Sequence, residues 1–259
     1  MLERLGKCLR GLLFPPKCAA CGTFLKKDIL ELPENAFCES CARAWRRLLF
    51  DRCGVCGLEY TRCRCMPSFL RRLGVRDSVK LIPYERVRET VGKKSILVMK
   101  KRNSEALSRF FGEALANAFS SRCSESGKEA GRLLVTYLPR SYKGINLYGF
   151  DQSRLLARQV ARCLGADFLP VFKRRVTLFA QEQKHLDAAE RRKNMRAAFL
   201  LSDKGKRAVE ACDTLLLVDD VVTTGASVGG CVSLLEREQR DKVVVLAIGQ
   251  TPALKKTTK

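Results

Sequence analysis

Residues 215–227 read LLLVDDVVTTGAS: an apolar run, two adjacent carboxylates, then small hydroxyl residues and a glycine where a helix can begin. The run TLLLV at 214–218 has the continuous apolar character of a strand buried on both faces, as in the centre of a parallel sheet. A second such run, VVVLAI at 243–248, follows a stretch that carries Val228, Cys231, Leu234 and Leu235 at helical spacing. Strand, helix and strand in this order predict an α/β fold with a doubly wound, mainly parallel sheet. In such sheets ligands sit beyond the carboxyl ends of the strands, so residues 218–228 are the candidate site.

The segment offers two kinds of chemistry. Asp219 and Asp220 are acceptors suited to vicinal hydroxyls, whereas Thr223, Thr224, Gly225, Ala226 and Ser227 leave backbone N–H groups free to meet a phosphate at a helix start. An acid pair repels phosphate, so the two halves must contact different parts of one ligand, and a sugar phosphate has that polarity. A capping turn would account for one hydroxyl residue but not for paired acids. A metal site would recruit more carboxylates or histidines, and His185 is the only histidine in the chain.

The alternation of strands and helices begins near residue 78. Ser104 can cap a helix bearing Leu107, Phe110, Phe111, Ala114, Leu115, Ala118 and Phe119, and the polar stretch SSRCSESGKEAG at 120–131 predicts a loop after it. LLVTYL at 133–138 predicts a strand. Leu155, Leu156, Val160, Cys163 and Leu164 line a further helix that ends at Gly165, with Arg154, Arg158 and Arg162 along its other side. Cys163 and Cys231 are expected in the core.

Eight of the 13 cysteines form four close pairs: Cys18 and Cys21, Cys38 and Cys41, Cys53 and Cys56, Cys63 and Cys65. Three are C-x-x-C, a gap that lets two thiolates reach one tetrahedral ion, and the fourth is a tighter C-x-C. Gly22, Gly54 and Gly57 stand where knuckles need positive φ. A disulfide scaffold needs an oxidising compartment, and a redox C-x-x-C occurs once rather than in series, so two structural zinc ions are the expectation. With few apolar residues between knuckles, metal would supply the stability that burial cannot. Spacing leaves sequential and interleaved pairings both open.

A formal charge of +22 points to anionic partners, and it falls only to +18 if eight thiolates hold two zinc ions. A solubilising surface is an equal reading of the charge alone. In MLERLGKCLRGLLFPPKC the leucines are interrupted by charges, so no signal-peptide core is present, and no apolar run approaches the roughly 18 residues of a spanning helix. These points place the protein in the cytoplasm, without a membrane span. The chain divides into a unit over 1–72 that comprises a short amphipathic N-terminal helix and the cysteine-rich zinc ribbon, an α/β domain over 78–251 and a basic tail over 252–259.

VDDVVTTGAS resembles the phosphoribosyl diphosphate loop of type I phosphoribosyltransferases, and the chain from about Cys18 to Ile248 resembles the ComF family of competence-associated proteins. Further family marks recur in order: Tyr84 and Glu85, Lys100, Pro139, GFDQS at 149–153, the Gln183 to Leu186 spacing, Arg191, Asn194 and Phe199. The resemblance implies Asp219 and Asp220 on ribose hydroxyls, Thr223 through Ser227 around the 5′-phosphate, and magnesium bridging the ligand's hydroxyls and diphosphate. It places Arg140 and Lys143 toward the diphosphate, with Lys100 nearby. Gln183 to Arg196 looks like a basic loop that closes over the site, on which Lys184, Arg191, Arg192 and Lys193 would balance charge on departing diphosphate. Two departures stand out. The family usually has Arg-Gly-Phe-Asn-Gln where this chain has Tyr148 to Gln152, and Ala180 stands where threonine is common. Purine-salvage relatives carry an aspartate at the position of Thr223, so that acid–base group is absent. The implied function is phosphoribosyl diphosphate binding in DNA uptake during natural transformation, with single-stranded DNA as partner. The alternatives are an active phosphoribosyltransferase, and a non-catalytic regulator whose ribbon docks to a protein.

Overall fold

The computed structural model describes residues 17–25, 36–85, 87–127, 131–175 and 197–252. In chain order its elements are α1 (Glu39–Leu49), α2 (Ser68–Arg72), β1 (Asp77–Pro83), α3 (Val91–Lys101), α4 (Glu105–Ser126), β2 (Leu133–Tyr137), α5 (Tyr142–Tyr148), α6 (Gln152–Leu164), β3 (Asp167–Phe168), β4 (Phe172–Arg174), β5 (Phe199–Leu201), α7 (Asp203–Ala211), β6 (Thr214–Val222), α8 (Ala226–Val232), α9 (Arg237–Arg240) and β7 (Val243–Gln250). The fold is α/β. Its five-stranded sheet runs β1-β7-β6-β2-β3 with every neighbouring pair parallel, and β4 and β5 form a separate antiparallel pair.

The period of two along each strand sends alternate side chains to opposite faces. Leu216, Val218, Val135 and Leu246 pack on one face against Ile96 of α3, Phe111 and Leu115 of α4, and Leu156 and Val160 of α6. Leu215, Leu217, Leu134 and Val245 pack on the other against Leu70 of α2, Val209 of α7, and Val228 and Cys231 of α8. Both faces are therefore covered, as the unbroken apolar runs of β6 and β7 require.

Several boundaries differ from the sequence reading. The helix capped by Ser104, whose hydroxyl accepts from the Leu107 N–H, continues to Ser126 through most of the stretch expected as a loop. Its polar residues stay helical because Arg122 is buried: the guanidinium donates to both Asp77 carboxylate oxygens at 3.1 and 3.2 Å and to the carbonyls of Ser78, Thr61 and Cys63. Gly127, with φ 61°, ends it. Strands β6 and β7 extend beyond their apolar runs because Val221 and Val222 still pair with Gly249 and Gln250. Cys163 is exposed, not in the core. The buried arc of α6 is Gln152, Ser153, Leu156, Ala157, Val160 and Ala161, and Cys163 falls outside it. Cys231 is fully buried, as expected. Gly22 and Gly57 take positive φ; Gly54 does not.

The cysteine-rich segment is joined to the sheet by apolar packing. Phe37 and Trp45, stacked on each other at 6.2 Å, meet Phe110 and Phe111 of α4 edge-on, with centroids 5.0 to 5.5 Å apart. The amphipathic stretch 1–16 lies outside the described residues, as does the tail beyond Pro252. Among the described residues no helix is long and apolar enough to cross a membrane.

Candidate ligand-binding site and metal centres

Strand β2 ends at Tyr137, paired with Val218, while its neighbour β6 runs on to Val222. Past that point one edge of β6 is open, and Asp219 and Asp220 lie in the opening. This is the carboxyl-end crevice that an α/β sheet provides. Residues 139–153 return to fill its rim. Ser141 caps α5 by accepting from the Gly144 N–H, and Asp151 caps α6 by accepting from the Ser153 and Arg154 N–H groups.

The start of α6 then delivers two side chains to the acid pair. Gln152 Nε2 donates to Asp220 Oδ2 at 2.8 Å, and Ser153 Oγ donates to Asp219 Oδ1 at 3.4 Å. The Asp220 backbone N–H also donates to Asp219 Oδ1 at 2.8 Å. From the end of α3, Lys100 Nζ reaches Asp220 Oδ1 at 3.1 Å. Gln152 Oε1 is buried beside this pair and has no hydrogen-bond partner among the described residues. A buried acceptor without a donor is costly, and such groups concentrate where a ligand completes the bonding.

Burial, and then the neighbouring Asp220 charge, push the Asp219 carboxyl well above the usual carboxylate range, against the pull of the Asp220 N–H, Lys100 and Ser153. Burial pulls the Lys100 ammonium down, but Asp220 and then Asp219 outweigh it and hold it above its ordinary value. Burial also raises Asp151, opposed by the N–H groups of Arg140, Arg154 and Ser153.

Gly225 opens α8 at φ 75°, a left-handed conformation that favours glycine. Thr223 and Thr224 are exposed above it, Ala226 and Ser227 are half-buried, and Thr224 Oγ1 accepts from the Ala226 N–H at 3.4 Å. Asp219, Asp220, Lys100 and Arg140 thus belong to one linked network. Arg140, however, turns its guanidinium back: it donates to the Lys100 and Phe150 carbonyls and stacks over Tyr148 at 4.5 Å. Its backbone N–H donates to Asp151 Oδ2. Lys143 stands exposed on the first turn of α5. Lys184, Arg191 and Lys193, with the rest of 176–196, lie outside the described residues.

Gln152 and Ser153 are the functional candidates that sequence reasoning missed. Both stood in the GFDQS motif, a signal that was available but carried no role, because nothing local tells that α6 begins opposite β6. Tyr148 also gains a definite role as the platform under Arg140.

The eight paired cysteines resolve into two groups, Cys18, Cys21, Cys38 and Cys41, and Cys53, Cys56, Cys63 and Cys65. The pairing is sequential. Within each group the sulfur atoms lie within 4.8 Å of one another, close to the roughly 3.8 Å that a tetrahedral ion with 2.3 Å metal–sulfur bonds requires. Each group can therefore hold a metal ion. The thiols of one group differ in acidity: in the second, burial raises Cys53 but is outweighed by the Cys56 and Val55 N–H groups, which lower it to about 7, whereas burial and then hydrogen bonding with Cys56 raise Cys65 to about 12.

No family model matches the chain, and no curated protein matches it.

Proposed function

We propose that this protein binds phosphoribosyl diphosphate or a closely related ribose phosphate at Asp219, Asp220 and the 223–227 loop, on a scaffold of the type I phosphoribosyltransferase kind. The observation that carries the reading is the crevice beyond Tyr137, where a buried acid pair meets Lys100 and the unpartnered acceptor Gln152 Oε1. Vicinal hydroxyls donate to carboxylates and to such an acceptor, and a phosphate cannot sit on the acids. The ligand must therefore carry its phosphate away from them, toward Gly225. Magnesium bound with the ligand would neutralise its diphosphate, and Asp219 and Asp220 are the carboxylates that would orient such a complex. Arg140, held against Tyr148, and Lys143 supply positive charge on the α5 side of the crevice. Lys184, Arg191 and Lys193 are the candidates for offsetting charge on diphosphate if it departs.

The ion proposed for each four-cysteine group is structural zinc. Four thiolates complete the tetrahedron, leaving no open position for chemistry.

Titration calorimetry with phosphoribosyl diphosphate and magnesium tests the ligand reading. Saturable binding is expected, competed by ribose 5-phosphate and not by free ribose. Absence of any heat at millimolar ligand would sink it. The same cuvette reports diphosphate release when bases are added, which would turn the binding protein into a transferase.

The partner proposed for the surplus charge is single-stranded DNA in DNA uptake, since +22 gathers anions and Arg154, Arg158 and Arg162 line the exposed side of α6. Trp45, the only tryptophan, is buried against Phe110 and Phe111 and offers no stacking face. Backbone charge is then the chief attraction. Affinity for an oligonucleotide, read by anisotropy, is expected to fall by at least about tenfold between 50 and 200 mM salt. A salt-independent signal, or none at low salt, contradicts this.

A further inference from the structure

The second four-cysteine group is built into the α/β domain rather than appended to it. Its apolar content is small: Cys53, Tyr60 and Cys63, with Cys65 against them, make up the whole cluster. Polar groups from the sheet grip it instead. Lys80, in the middle of β1 and fully buried, donates through Nζ to the carbonyls of Cys65 and Ser78 and pairs with no carboxylate among the described residues. Gln250 Nε2, at the end of β7, donates to the same Cys65 carbonyl at 3.0 Å. Arg122 donates to the carbonyls of Thr61 and Cys63, with Asp77 as its own counter-ion. Of these two buried cations only Arg122 has a carboxylate partner among the described residues. A metal held by four thiolates carries two net negative charges and supplies what is missing.

Five residues beyond Cys65 the chain reaches Leu70, in α2. Leu70 is fully buried and occupies the space where a side chain at Gly225 would project; a Cβ there would lie 2.7 Å from Leu70 Cγ. Phe69 occupies the corresponding space at Gly229, one turn further along α8. The first turn of the candidate phosphate loop therefore rests on α2. With five residues, α2 is too short to persist without anchors. On its carboxyl side it is tied by the Val75 N–H to the Leu70 carbonyl and by the Arg76 N–H to the Val243 carbonyl. On its amino side the anchor is Cys65.

We propose that metal occupancy of Cys53, Cys56, Cys63 and Cys65 sets the order of residues 223–228 by fixing Leu70 beneath Gly225. Loss of that ion leaves Cys65 held only through its carbonyl by Lys80 and Gln250; α2 then loosens, and the left-handed turn at Gly225 loses support. Among the described residues the first group, Cys18, Cys21, Cys38 and Cys41, has no such line to the loop: it packs against α1 and the Phe37–Trp45 cluster. The consequence for ligand affinity rests on the function proposed above, whereas the ordering of the loop does not.

Hydrogen exchange on the full-length, metal-loaded protein tests this without any ligand. The Cys53→Ser/Cys56→Ser variant is expected to exchange the amides of Gly225 to Val228 at least about tenfold faster than wild type, and Cys18→Ser/Cys21→Ser to leave them unchanged. Leu70→Ala, which alters no cysteine, should speed the same amides while retaining its full metal content. If the double serine variant does not fold, Leu70→Ala decides. Equal protection of the loop in wild type and Leu70→Ala, or equal loss in both serine variants, overturns the proposal. Ligand titration of wild type is a separate arm: faster loop exchange in Leu70→Ala together with no wild-type binding would keep this inference and remove the ligand reading.

Discussion

Asp219→Asn is expected to raise the melting temperature of the ligand-free protein while weakening phosphoribosyl diphosphate binding by at least about a hundredfold. The sign follows from where the carboxylate sits. Asp219 is only 8% exposed, beside a second carboxylate, and its pKa lies well above that of an unfolded aspartate. A carboxyl whose folded pKa is raised favours folding when protonated; that contribution is present below the ordinary aspartate range and is lost as pH rises through the folded value. Above the ordinary aspartate range the buried carboxyl is therefore a burden. Asparagine keeps an oxygen to accept from the Asp220 N–H and Ser153 Oγ, removes the charge, and relieves repulsion with Asp220. A gain of about 1–2 kcal/mol, or roughly 2–6 °C, is the expected scale. The gap between variant and wild type should widen from mildly acidic to neutral pH, because only wild type carries the titration. Thermal scans across that range read it directly, and a variant less stable than wild type at pH 7 would remove the argument. The affinity loss has the opposite origin: under the proposed function, the carboxyl that burdens the fold is the group that accepts the ligand's hydroxyls, and a residue kept at a cost to stability is a functional-site candidate.

How much of this was legible in sequence depends on how local the determinant is. LLLV and VVVLAI revealed two central strands because burial on both faces writes itself into consecutive residues. The acid pair stood out for the same reason. Ser104 and Gly165 marked helix ends through capping chemistry confined to one turn. What stayed hidden depends on partners far along the chain. Arg122 looked like a loop residue, and nothing near it shows that Asp77 and the Cys63 carbonyl would bury it within a helix. Lys80 sits in a strand whose apolar neighbours gave no sign of a buried cation. Gln152 acquires its role only when α6 is set opposite β6, 68 positions away. The cysteine pairing was open by spacing alone and became sequential once the sulfur positions were known. Leu70 was the least visible, since an ordinary leucine in a short helix becomes consequential only because Gly225 leaves room for it.

Removing metal from both four-cysteine groups with a strong chelator is expected to lower the melting temperature by at least about 10 °C, and to do so unevenly along the chain. The two groups differ in what remains when the ion leaves. Around the second, the apolar cluster among the described residues is Cys53, Tyr60 and Cys63 with no aliphatic side chain, and the thiols lose the cation that reconciles their differing acidities. Burial raises Cys53 but is outweighed by the N–H groups of Cys56 and Val55, which lower it to about 7, while Cys65 sits at about 12. Four such groups cannot all ionise in one pocket without a cation. Residues 53–65 should therefore lose their hydrogen-exchange protection completely. Around the first group, Cys18 belongs to the large cluster that includes Leu25, Phe37, Ala42, Trp45 and Leu48, and Trp45 meets Phe110 and Phe111 with centroids 5.5 and 5.2 Å away. Burial of that aromatic set is worth several kcal/mol on its own. Helix α1 should thus stay docked after its neighbouring ion is gone. Trp45, the single tryptophan, reports this through its own fluorescence: chelation at room temperature is expected to leave its emission that of a buried indole while exchange across 53–65 becomes fast. If the emission shifts to that of a solvated indole in step with metal release, α1 depends on the ion rather than on Phe110 and Phe111. The first group would then be the weaker of the two, reversing the order that its apolar surroundings dictate.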